Sequence, residues 1–120
     1  MTAQGSAYHR FRRALDRRNV SEALSAATEI QVIGLVEALE LTLLLADRDP
    51  AKYERAALRW HARFMREVPK VEMRESQAIL SLLALVPVSR LAAAGLAEVL
   101  SGRRGLERAC EALVSWAREA

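Results

Sequence analysis

The 120-residue chain has few of the residues that build disulfide frameworks, metal sites or β-rich folds. Its single cysteine, Cys110, excludes an intramolecular disulfide and a multi-cysteine zinc site, and is typical of a reducing compartment. Aromatic residues make up only 5% of the chain, and there are five glycines and three prolines. Apolar residues nevertheless reach 52%, mostly as Ala, Leu and Val, which favour helices over sheets. We therefore predict an all-α fold.

Long hydrophobic runs are also missing. The longest uncharged run, 76–89, has about fourteen residues and is interrupted by Pro87, whereas a membrane-spanning helix needs about twenty. The small, polar start at 1–6 is not followed by the apolar segment of a secretory signal. We expect a soluble, cytoplasmic protein without a membrane partner.

The patterns of catalytic and cofactor sites are absent from the sequence. There is no glycine-rich phosphate loop, nucleophile elbow or dinucleotide fingerprint. Glu37 and Glu40 are spaced as in di-metal carboxylate bundles, but those sites also need Glu-x-x-His pairs, which the chain lacks. We interpret the two glutamates as ion-pair partners of arginines, and His61 and Cys110 as packing residues. We therefore expect no enzymatic activity, no metal and no cofactor.

Apolar periodicity and capping signals predict about six short helices. They span about 7–18, 20–46, 50–67, 71–85, 89–100 and 106–118, after a flexible segment at 1–6, and form one domain over 7–120. Asn19 and Asp49-Pro50 are the signals for two of these helix starts. Short connections indicate antiparallel neighbours, and thus a compact bundle, with three helical hairpins stacked as a short solenoid as the alternative.

The second predicted helix is apolar on nearly all sides, which is typical of a central, buried helix. Gly34 at its middle is unfavourable for a helix, so we expect it to mark a close crossing by another helix. In the fourth predicted helix, the inward side is assigned to Met73, Ile79, Leu80, Leu82 and Leu83. Helices 4 and 5 also supply more apolar residues than six short helices can cover, Leu85 and Leu91 among them, which predicts a homodimer.

Two parallel stripes mark the third predicted helix, 50–67. Its apolar stripe includes Tyr53, Trp60 and Phe64, which we expect to be core residues. Its five cations occupy a separate arc of roughly 80°, at about 100° per residue. With three arginines of the first predicted helix they make up the predicted basic face: Arg10, Arg13, Arg17, Lys52, Arg55, Arg59, Arg63 and Arg66. Alternatively, the cations of 50–67 pair internally, either with Glu29 and Glu40 of the acidic line of the second predicted helix or with a neighbour.

The basic face leads to two functional hypotheses. The first is a non-enzymatic interaction or regulatory protein whose basic face binds an acidic protein partner. The alternative is a nucleic-acid accessory protein that binds phosphates without reading bases, since arginine matches phosphate oxygens. The sequence has no zinc-finger spacing, basic zipper or recognisable helix-turn-helix, so base-specific DNA recognition is not predicted.

One resemblance rests on two stretches of sequence. At 36–57, VEALELTLLLADRDPAKYERAA, and at 57–64, ALRWHARF, the chain resembles small all-helical proteins of high-GC actinobacteria. The resemblance extends from about Tyr8 to Trp116, and its motifs are packing motifs. It implies a bacterial, cytoplasmic protein and transfers no activity and no functional residue. The excess of sixteen arginines over two lysines agrees with such an origin.

Overall fold

The computed structural model describes residues 3–119 as a bundle of helices, which confirms the predicted all-α fold. The α-helices are α1 (Ala3–Asp16), α2 (Val20–Glu29), α3 (Leu35–Arg48), α4 (Pro50–Glu67), α5 (Met73–Leu85), α6 (Arg90–Leu100) and α7 (Glu107–Arg118). One 3-10 turn, Val86–Val88, connects α5 to α6. No helix within residues 3–119 has the length and apolar character needed to cross a bilayer.

The single helix predicted over 20–46 is wrong, because the chain forms α2 and α3 with an extended connection between them. Ile30 ends α2 and Gly34 precedes α3, both with extended backbone. Gly34 does not mark a crossing by another helix. A Cβ at this position would collide with the carboxylate of Glu37, in the first turn of α3. The apolar residues that suggested one buried helix serve two helices, each with its own buried side.

The first helix begins one turn earlier than predicted, at Ala3. The side-chain amide of Gln4 donates to the backbone oxygen of Glu29 at 2.7 Å and accepts from the backbone N–H of Gln31 at 2.9 Å. Residues 3–6, expected to precede the fold, therefore belong to α1. Residues 1, 2 and 120 lie outside the described residues.

The two predicted start signals, Asn19 and Asp49-Pro50, lie at helix starts, but only Asn19 caps its helix with its side chain. The backbone N–H of Glu22 donates to Asn19 Oδ1 at 3.1 Å, as predicted for an N-cap. Pro50 begins α4 as predicted, but the Asp49 side chain forms no capping hydrogen bond. It lies 3.4 Å from the amine of Lys52 instead.

The main hydrophobic core lies among α3, α4, α5, α6 and α7. Trp60 and Phe64 of α4 are buried and stacked, with ring centroids 5.3 Å apart. The hydroxyl of Tyr53 donates to the backbone oxygen of Leu83 at 2.7 Å, and Trp60 Nε1 donates to the backbone oxygen of Leu35 at 2.9 Å. These contacts attach α4 to α5 and to α3. The three aromatic residues are core residues, as predicted.

A second, smaller core holds the α1–α2 hairpin together. Phe11 and Ala14 of α1 pack with Ala23 and Ala26 of α2, and all four are buried. Leu41 of α3 packs against this cluster and joins the hairpin to the rest of the bundle. Since α7 packs on α3 as well as on α6, the helices close into a bundle and do not stack as a linear solenoid.

The anchoring of α4 generates the first prediction. Replacing Phe64 with alanine should lower the free energy of unfolding by about 3–5 kcal/mol, because a fully buried ring is removed from the main core. Leu58→Ala, on the same helix but 55% exposed, should cost less than about 1 kcal/mol. Urea denaturation of both variants measures the difference, and equal losses would contradict this assignment of the buried side.

Candidate functional site

The buried side of α4 determines where its cations lie. Tyr53, Trp60 and Phe64 face the core, so at about 100° per residue the opposite side of the helix carries Arg55, Arg59 and Arg66 within an arc of roughly 40°. All three arginines are exposed. We call them the exposed arginine row.

The ion pairs of α4 involve its own neighbours in sequence. Lys52 pairs with Asp49, and Arg63 pairs with Glu67 one turn later. For Arg55, Arg59 and Arg66 the part of the chain that the structure describes supplies no ion-pair partner. Glu29 and Glu40 do not pair with the exposed arginine row, because their partners are arginines of α1.

The arginines of α1 divide into paired and unpaired residues. Arg10 forms an ion pair with Glu29 of α2. Arg12, which was not predicted as part of the basic face, points to α3 and donates two hydrogen bonds of 2.9 Å to the Glu40 carboxylate. Arg13 and Arg17 are exposed and form no ion pair with any residue between 3 and 119.

The two groups of predicted basic residues meet at one cleft. It has a volume of about 630 Å³ and lies between the α1–α2 turn and the α3–α4 turn. Arg17 and Lys52 line it together with Arg48 and Asp49. Elsewhere the groups are apart, since α1 packs on α2 and α3 while α4 packs on α3 and α5.

Beside the exposed arginine row lies an apolar strip that was not predicted from the sequence. It consists of Leu58 and Met65 of α4 and Met73 and Leu80 of α5, all of them exposed. Met73, 79% exposed, and Leu80 were expected to face inward, and this is wrong. Ile79 and Leu83 are buried, as predicted, and the buried side of α5 is centred on them. The spacing of Met73 and Leu80 by two helical turns, away from those residues, could have indicated the strip.

A second exposed apolar group lies where α5 turns into α6. Leu85, Val88 and Leu91 are 51%, 81% and 74% exposed. We call this group the apolar corner. Leu85 and Leu91 are among the surplus apolar residues that predicted self-association.

A buried carboxylate on α3 lies at the junction of α1, α3 and α7. Glu37 accepts a hydrogen bond from Arg108 of α7 at 2.8 Å, and the Tyr8 hydroxyl lies 3.4 Å away. Burial raises the pKa of Glu37, but the hydrogen bonds from Arg108 and from its own backbone N–H, with the charges of Arg108 and Arg12, outweigh it. The net pKa therefore lies below its ordinary value. Both glutamates pair with arginines, as predicted: Glu37 with Arg108 and Glu40 with Arg12.

Arg18 of the α1–α2 turn and Arg90 at the start of α6 connect these elements to α3 and to the C-terminal end of the bundle. Arg18 donates to Asp47 of α3 at 2.6 Å and to Glu119 at 2.7 Å. Arg90 pairs with the other Asp47 oxygen at 2.9 Å and lies 3.7 Å above the Trp116 ring. Asp47 also accepts from Trp116 Nε1 at 3.0 Å. These charges are structural, because each one is paired with another element of the bundle.

The residues considered for catalysis are not brought together. His61 Nε2 lies 2.9 Å from Ser76 Oγ at the α4–α5 interface, away from the junction that holds Glu37. Cys110 is half-buried, its thiol lies 3.5 Å from the backbone oxygen of Ala97, and burial raises the pKa of the thiol. No group of three or more metal-ligating side chains occurs in residues 3–119.

Comparison of the chain with protein-family models, curated proteins and solved structures finds no match.

The paired Glu37 carboxylate predicts acid sensitivity. Its folded-state pKa lies below the ordinary value, so its stabilising contribution is present above that value and is lost as the pH falls through it towards the folded-state pKa. Glu37→Gln should lower the free energy of unfolding by about 1–3 kcal/mol at pH 7 and flatten the loss of stability on acidification. Chemical denaturation across the acidic range measures both effects. Glu111→Gln, an exposed change on α7, is the control and should leave the pH dependence intact.

Proposed function

We propose that this protein is a non-enzymatic interaction or regulatory protein that binds an acidic protein partner with the basic face. The observation that carries the proposal is the exposed arginine row. Acidic residues of the bundle pair with Arg10, Arg12, Arg18 and Arg108, whereas the arginines of the row stay exposed without ion pairs in the described residues. An arginine row on one side of a rigid helix favours binding to a surface of opposite charge.

Fewer than the eight residues of the predicted basic face contribute to binding in this proposal. Arg10, Lys52 and Arg63 each pair with a neighbouring carboxylate, and these surface pairs are individually weak. These three cations therefore add less unpaired positive charge to the face than the exposed arginine row does. Arg13 and Arg17, near the α1–α2 turn, add unpaired charge as well. A bacterial cytoplasmic setting, which the resemblance implies and the single cysteine fits, is part of the proposal.

The alternative proposal is a nucleic-acid accessory protein that uses the same arginines on phosphates. Guanidinium groups match phosphate geometry, and 16 of the chain's 18 cations are arginines. Trp60 is buried and so is not a stacking platform for bases. Binding by this route depends on counterion release and falls steeply with salt.

We also propose that the protein forms a homodimer through the apolar corner. Three large apolar residues exposed within one turn region form a small surface that is more stable when covered. A two-fold dimer would place the same corner of both copies in one contact.

The exposed arginine row generates a binding prediction. The triple variant Arg55→Gln, Arg59→Gln, Arg66→Gln should bind labelled poly-L-glutamate about tenfold more weakly at low salt, because three exposed charge contacts are lost. The control triple variant, Arg74→Gln, Arg104→Gln, Arg118→Gln, removes the same charge from other exposed positions. It should change the affinity about threefold or less.

Fluorescence anisotropy with the two triple variants separates the outcomes. Equal losses of affinity in both variants would mean that binding depends only on net charge and not on the exposed arginine row, and would contradict the proposal. Duplex DNA of matched charge serves as the second probe. If DNA binds at low salt, loses affinity steeply at moderate salt and depends on the row while poly-L-glutamate does not bind, the nucleic-acid alternative replaces the leading one.

The homodimer has its own test. In sedimentation equilibrium the wild-type chain should reach twice its 13.3 kDa mass, and Val88→Asp should return it to the monomer by burying a charge in the contact. Met73→Asp places the same charge on an exposed apolar residue away from the corner and should leave the mass unchanged. A wild-type monomer at all concentrations, or a dimer that tolerates Val88→Asp, would contradict the proposed contact.

A further inference from the structure

We infer that the surface formed by α4 and α5 docks an amphipathic acidic helix, in which a leucine-rich side covers the apolar strip and an adjacent acidic side meets the exposed arginine row. This inference rests on the proposed function and names the chemistry of the acidic partner. It also assigns a role to the apolar strip, which a partner bound through charge alone would leave uncovered.

The geometry of α4 places the two features side by side. Leu58 and Met65 are two helical turns apart on one line of the helix, so they lie roughly 10 Å from each other at about 1.5 Å per residue. The exposed arginine row runs parallel to this line, roughly 90° further around the helix. A partner helix laid along α4 can therefore touch both.

The second half of the apolar strip comes from α5. The two helices are antiparallel neighbours, fixed by the His61–Ser76 contact of 2.9 Å and by the 2.7 Å hydrogen bond from Tyr53 to Leu83. Met73 and Leu80 lie three and four residues from Ser76, on the same line of α5, and are two turns apart like Leu58 and Met65. The four apolar side chains thus border the junction of α4 and α5, and the arginine row lies on one side of it.

Charge and composition favour an acidic helix over other partners. The acidic residues of α4, Glu54 and Glu67, lie towards its two ends, and Glu67 is already paired with Arg63. The exposed surface in the middle of α4 is therefore positive along the arginine row and apolar along the adjacent line of Leu58 and Met65. An amphipathic helix binds such a groove through apolar residues spaced by three and four, and acidic side chains beside them complete the match. Exposed methionines suit this use, because they adapt to different side chains.

A nucleic-acid backbone fits this surface less well. Phosphates would pair with the arginine row, but Leu58, Met65, Met73 and Leu80 offer bases no aromatic stacking and would stay uncovered beside a charged backbone. Covering these side chains contributes to affinity only when the partner is apolar on that side. The strip thus distinguishes between the two proposed partner classes.

The experiment compares two labelled peptides of the same composition. Both are Ala-rich, about eighteen residues long and contain the same numbers of Leu and Glu residues. In the first, the leucines recur at three- and four-residue spacing with glutamates beside them; in the second, the leucines are distributed around the helix. The wild-type protein should bind the first peptide about tenfold more tightly, because only that peptide can cover the apolar strip.

Three variants locate the effect. Leu58→Ser should bring the affinity for the first peptide to that for the second, and Met65→Gln repeats the test at the other end of the α4 part of the strip. Val88→Ser, at the apolar corner, is the matched control and should leave the tenfold preference intact. Circular dichroism and thermal unfolding verify the fold of each variant. Peptide-induced amide shifts in the NMR spectrum should map to α4 and α5.

The outcomes separate this inference from the proposed function. If both peptides bind equally and the arginine triple variant weakens both, helix docking is overturned while the basic face for an acidic partner stands. Helix docking is also overturned if neither Leu58→Ser nor Met65→Gln reduces the preference, or if Val88→Ser removes it. If neither peptide nor poly-L-glutamate binds, the proposed function fails as well. If duplex DNA displaces the first peptide and binds more tightly, the partner is a nucleic acid.

Discussion

The attachment of α4 to the main core is the constraint on which the rest of the surface depends. Tyr53, Trp60 and Phe64 lie on one side of this helix, and the first two also donate hydrogen bonds to backbone oxygens of α5 and α3. Because side chains on an α-helix have fixed angular relations, burying these rings also fixes the cations on the outside. The exposure of the arginine row is thus a consequence of aromatic packing.

Arginines have two different uses in this chain. Three arginines pair with acidic residues of α3: Arg12 with Glu40, Arg18 with Asp47, and Arg108 with Glu37. These pairs hold the α1–α2 hairpin and α7 against the centre of the bundle, where the α1–α2 hairpin has only a small hydrophobic core of its own. The acidic residues of α3 are thereby occupied, and the α4 arginines keep their charge for a partner.

The sequence predicted α4 well and the neighbouring elements less well, for identifiable reasons. Asp49-Pro50 marks the start of α4, and the two stripes of 50–67 differ in polarity, so its buried side was predictable. In 20–46 the apolar residues surround the helix, which hides the break before Gly34. For Met73 and Leu80, apolar character suggested burial, but α5 is short and packs through Ile79 and Leu83.

The sequence by itself determined the helical class, the side of α4 that is buried, and the pairing of Glu37 and Glu40 with arginines as a class. The first two follow from local periodicity and capping, and the third follows from residue type, because carboxylates on an apolar helix need cationic partners. Which arginines take those glutamates was decided only by the tertiary structure, since Arg12 and Arg108 come from helices far apart in sequence. The apolar strip is likewise tertiary: its halves lie on two helices, and only their antiparallel packing places them beside the exposed arginine row.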